Sequence, residues 1–131
     1  MPIVQLSRLR SQINSLLAHF NNAEEFRDSL TSFFRLYENK ETSTNIWFKK
    51  SIQSISYNVP ESVMTELCVK ISIFSVTKPE FALVNADMLW GMPYYENKRI
   101  AIVLISNLGP AFQDSFLQRI HSWISFFGLR T

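Results

Sequence analysis

Apolar residues recur at steps of three and four along nearly the whole chain, the spacing that gathers them on one stripe of an α-helix. Leu6, Leu9, Ile13, Leu16, Leu17 and Phe20 form the first stripe. Asn21 or Asn22 ends that helix and caps the next, because an asparagine side-chain oxygen accepts an N–H that has no partner in the first turn. Glu24 and Glu25 follow in that turn, where the helix dipole favours negative charge. The second stripe is Phe26, Leu30, Phe33, Phe34 and Tyr37. Residues 38–45 (ENKETSTN) are polar and without period, which predicts a loop. A shorter helix over residues 46–55 then turns Trp47, Phe48, Ile52 and Ile55 inward.

Tyr57-Asn58-Val59-Pro60 interrupts the pattern: Pro60 disfavours helical geometry at Val59 and suits the start of a new helix. Met64, Leu67, Cys68, Ile71 and Phe74 make the next stripe. Thr77 and Glu80 have the spacing of a capping box, with Pro79 inside the first turn, where a missing N–H costs little. Phe81, Val84, Met88 and Leu89 lead to Trp90, and Gly91 and Pro93 terminate. Ile100, Val103, Leu104 and Leu108 carry a further helix to Gly109-Pro110. The last stripe is Phe116, Leu117, Ile120, Trp123, Ile124 and Phe127, closed by Gly128. Residues 100–105 (IAIVLI) suit a buried strand by composition, but their flanks and the helical context favour a helix.

The prediction is therefore all-α: seven helices in one domain over residues 1–131. Antiparallel pairs whose second half starts at a proline, repeating over roughly 35–45 residues, point to HEAT-like pairs stacked as a short α-solenoid. A compact bundle is the runner-up. The length suits a single domain, and 47% hydrophobic against 18% charged residues excludes a disordered chain. No apolar run approaches the length of a membrane span, and the N-terminus lacks a signal pattern, so neither spanning nor export is expected. Cys68, the sole cysteine, reads as a reduced, buried thiol of a cytoplasmic protein.

Candidate chemistry is sparse. His19 and His121 stand far apart, and no phosphate loop, nucleophile elbow or Cys/His pair occurs; no metal, cofactor or catalytic residue is assigned. Glu96, near a helix start, is expected to complement or cap the helix dipole, since no second carboxylate or histidine stands at fixed spacing to it. Trp90 is expected to pack beneath a turn between helices, and Pro93 to limit helix length. A net charge of +2 is too mild to announce a nucleic-acid protein by itself. The basic clusters are Arg8 with Arg10, Lys49-Lys50 and Lys98-Arg99; the choice for them lies between phosphate contacts on a concave surface and a solvated face.

The segment Leu89-Trp90-Gly91-Met92-Pro93-Tyr94-Tyr95-Glu96-Asn97-Lys98, followed by Ala101-Ile102, resembles the "LW-x-x-P-x-x-E…A" stretch of the DNA alkylation repair family of HEAT-like-repeat DNA glycosylases. Tyr57-Asn58-Val59-Pro60 is similar to that family's "YGVP" turn, and WISFFGLRT at the end of the chain to its "W-x-x-x-W-D-x-x-D" stretch. The resemblance covers about residues 55–131 and implies an α-α superhelix that binds duplex DNA through contacts to the DNA backbone. From the basic clusters and aromatics of the chain itself, the residues that would meet DNA on such a surface are Lys49, Lys50, Lys98, Arg99, Phe127 and Arg130. Carried over residue by residue, the family's aromatic falls on Phe127, its first aspartate on Gly128 and its catalytic aspartate on Thr131. A neutral hydroxyl cannot stabilise the positive charge that develops as a cationic base leaves. The resemblance thus implies DNA binding without glycosylase activity in this chain. The alternatives are a protein-interaction scaffold or terminal domain of a larger protein, and an active alkylpurine glycosylase completed beyond Thr131. The apolar face of residues 123–129 is expected to be covered by a second copy or by a downstream repeat.

Overall fold

The computed structural model describes residues 5–39 and 55–126, and every regular element among them is helical. Six α-helices follow in order: α1 (Leu6–Leu17), α2 (Ala23–Leu36), α3 (Glu61–Thr77), α4 (Pro79–Trp90), α5 (Tyr95–Ser106) and α6 (Gln113–Phe126). A short 3-10 turn, Pro110–Phe112, precedes α6. No strand occurs among the described residues, and residues 100–105 are helical within α5.

Each helix packs on its neighbour in the chain or on the next but one. α1 meets α2 and α3, α2 meets α4, α3 meets α4 and α5, and α4 meets α5. Trp123 and Arg119 attach α6 to α4. The contacts arrange α1, α3 and α5 as one row and α2, α4 and α6 as a second. Apolar stripes meet between the rows: Leu9, Ile13 and Leu17 of α1, Phe26, Leu30 and Phe34 of α2, Met64, Leu67 and Ile71 of α3, and Leu104 of α5 are all buried.

Asn22 is the N-cap of α2, and its side chain accepts the Glu25 N–H at 3.0 Å, with Glu24 and Glu25 in the first turn. The preceding turn is locked onto the second helix pair. The buried Asn85 donates to the Phe20 carbonyl at 2.9 Å, and the Phe20 ring packs edge-on against Phe26 and Phe74. Asn22→Ala removes the cap acceptor and is expected to lower stability by about 1 kcal/mol, read as a lower midpoint in urea with an unchanged slope.

Several local expectations are corrected. Thr77 does not cap α4; it is the last residue of α3, and its hydroxyl donates back to the Phe74 carbonyl, while Lys78 occupies the N-cap without a side-chain bond to the helix, its ammonium donating to Asn21 instead. Phe81 and Val84 face solvent, whereas Ala82, Asn85, Ala86 and Leu89 face inward. α4 is apolar nearly all round, so spacing alone could not choose between its faces. Leu117 is likewise half-exposed. Ile55, expected inward on a helix, is extended, exposed and bridged to Tyr94; the remainder of that helix and residues 40–45 of the expected loop lie outside the described residues.

Candidate functional site: the buried polar turn of α5

Three consecutive polar residues, Glu96, Asn97 and Lys98, are buried in the first turn of α5. They sit one turn before Ile100 and Ala101 on the stripe that continues through Leu104 and Ile105, so helical geometry carries polar groups onto the core face. A buried polar group needs partners, because its desolvation is otherwise uncompensated.

Glu96 finds them in the chain between Ile55 and Pro60. One carboxylate oxygen accepts the Tyr57 N–H at 3.0 Å. The other accepts the Ser56 hydroxyl at 2.8 Å and the Val59 N–H at 3.3 Å. The Ser56 hydroxyl oxygen accepts in turn from the Asn58 N–H at 2.9 Å. Asn58 adopts φ 57°, a left-handed conformation that asparagine tolerates better than most residues. Ile55 extends this attachment: its N–H donates to the Pro93 carbonyl and its carbonyl accepts the Tyr95 N–H, one of the orphan donors at the α5 terminus. Glu96 does stand in the first turn, as expected, yet it caps no N–H of its own helix. It clasps a segment about forty residues upstream.

Lys98 bonds in the opposite direction. Its ammonium donates to the Trp90 carbonyl at 2.7 Å, closing the end of α4, and lies 4.5 Å from the centre of the Trp90 ring. Only 8% of Lys98 is exposed, and burial lowers its pKa from the ordinary lysine value. Trp90 stacks on Trp123 at 4.4 Å with the rings 9° apart. Trp90 is expected beneath a turn between helices; it is found buried at the last position of α4, against α6 and Lys98. Asn97 donates to the Met92 sulfur at 3.3 Å. Tyr57 stacks on Tyr94 at 4.0 Å, and burial, followed by the neighbouring Tyr94, raises its phenol pKa. Among the described residues, the Tyr57 hydroxyl and the Asn97 carbonyl oxygen are the buried side-chain atoms without a hydrogen-bond partner.

Arg99 forms a two-pronged pair with Glu61 of α3, at 2.6 and 2.8 Å. The guanidinium holds the Glu61 carboxyl below its usual range, and Glu61 raises the Arg99 pKa further. A carboxyl depressed in the fold contributes stability that is present above its ordinary value of 4.5 and lost as pH falls through its folded value. Arg99→Gln should therefore be less stable than the parent at pH 7, with the difference closing as pH falls below 4.5. Glu61 is largely exposed, so the expected difference is under about 1 kcal/mol. Thermal unfolding of both chains across that pH range measures it.

The remaining sequence candidates are dispersed. Arg10 pairs with Glu66, and His19 with Glu25. Arg119, which the sequence did not single out, makes a two-pronged pair with Asp87 at 2.7 and 2.8 Å. Cys68 is partly buried, and burial pushes its thiol pKa up. Asp114 is in the first turn of α6, and His121 is exposed. Lys98 and Arg99 are thus brought together with Trp90 and Glu61, both partners within the protein. Lys49, Lys50, Phe127 and Arg130, together with Gly128 and Thr131, lie outside the described residues. Trp123 is buried and stacks on Trp90; residues 127–129 of the face expected to be covered by a second copy or a downstream repeat lie outside the described residues. Among the described residues no group of His, Cys, Asp or Glu is placed to hold a metal, and no helix is long and apolar enough to cross a membrane.

Sequence reading missed the clasp, though a signal was there. Polar residues on a core-facing stripe announce a satisfied network, and stepping back four from Ile100 and Ala101 lands on Glu96 and Asn97. No family model, curated protein or solved structure matches the chain.

Proposed function

We propose that this chain is a short stack of HEAT-like helix pairs that works as a protein-interaction scaffold. The stacking is supported by the main helix contacts among the described residues, which join neighbours or next-but-one helices in the order of the chain. The observation that carries the scaffold reading is an exposed apolar ridge on α3. Val69, Ile73 and Val76, at helical spacing, are 53%, 55% and 60% exposed. Isolated apolar residues on a surface are ordinary, but an aligned row of three is the form in which helices present anchors to a protein partner.

Cations argue the same way. The described residues hold nine lysines and arginines against ten aspartates and glutamates. Arg10, Arg27, Arg99 and Arg119 are paired with acids, Lys98 is buried and Lys78 bonds to Asn21, which leaves Arg8 and Arg35 exposed and Lys70 half-buried. Phosphate contacts require free cations. The alternative of duplex DNA binding is supported by the family resemblance, and its remaining candidates, Lys49, Lys50 and Arg130, lie outside the described residues. Base excision has less support. Both Glu96 oxygens are occupied by the clasp, so that carboxylate cannot serve a sugar cation without releasing it.

A photo-crosslinking residue placed at Ile73, with one at Ser32 of α2 as control, tests the scaffold reading in cells. The expected result is a discrete protein adduct at position 73 that Val69→Glu abolishes while the fold persists. Adducts equal at both positions, or adducts to nucleic acid alone, would overturn it.

A further inference from the structure

We draw no further inference here: the strongest candidate, the open apolar hollow of about 370 Å³ where the end of α5 meets the 3-10 turn and the start of α6, is an unpartnered face, and nothing in the structure shows what covers it.

Discussion

Replacing Glu96 with alanine is expected to destabilise the protein by about 3 kcal/mol, near the top of the range for removing one side of a buried hydrogen-bonded charge. Glu96 is 2% exposed, and its oxygens accept two backbone N–H groups and a hydroxyl. Such charge-assisted bonds are each stronger than neutral ones, and the N-terminal end of α5 adds a favourable dipole. Truncation leaves the buried Tyr57 N–H without its acceptor and opens space beside it. For a domain of this size the loss corresponds to about 10 °C in Tm. Glu96→Gln keeps the volume and one oxygen but turns an N–H₂ toward a donor, so about half the loss should remain. Ser56→Ala, which removes one of the three donors, should cost about 1 kcal/mol. If Glu96→Gln melts with the parent chain, the clasp contributes nothing and the description of the site is wrong.

The second large effect is expected at Trp123. Its indole is 7% exposed and stacked on Trp90, and with the Arg119–Asp87 pair it holds α6 against α4. Removing a buried tryptophan side chain costs about 3–5 kcal/mol, to which the stacking geometry contributes about 1 kcal/mol. Among the described residues, Phe116 and Ile120 add only partly buried contacts to α6, so the loss should be local: the helix detaches before the remainder unfolds. Hydrogen exchange on Trp123→Ala should show the amides of α6 exposed while those of α3 and α5 stay protected. Arg119→Ala should show a weaker form of the same pattern, since the pair is partly solvated. Uniform loss of protection across all helices would mean that α6 is integral to the core.

Helix existence was legible in the sequence because most stripes are amphipathic. In α1 and α2 most apolar residues keep to one side, and Leu9, Ile13, Phe26, Leu30 and Phe34 are buried as their spacing predicts, whereas Leu6 of the first stripe, in the first turn of α1, is exposed. α4 defeated the method because Phe81, Leu83, Val84 and Met88 surround it with apolar groups, leaving tertiary contact to decide which face is inward. Thr77 misled for another reason: a threonine before a proline fits the start of one helix as well as the end of another, and here the Phe74 carbonyl claimed its hydroxyl. The clasp depends on contact between Glu96 and residues 37–40 positions away, which no local window contains. Sequence nevertheless marked both halves of it. Tyr57-Asn58-Val59-Pro60 stood out as a break, and Glu96 as an acid at a helix start.

We propose that the chain, in which four of the nine described lysines and arginines are paired with its own acids, meets a protein rather than DNA. Titration of a fluorescent duplex with the purified chain, at 50 mM and 200 mM salt, tests it most directly. Binding weaker than about 10⁻⁴ M is expected at the higher salt, outside the ordinary range for non-specific DNA-binding proteins, with no change on Arg99→Gln. Binding near 10⁻⁶ M that weakens steeply with salt, and that Lys49→Ala with Lys50→Ala abolishes, would contradict it.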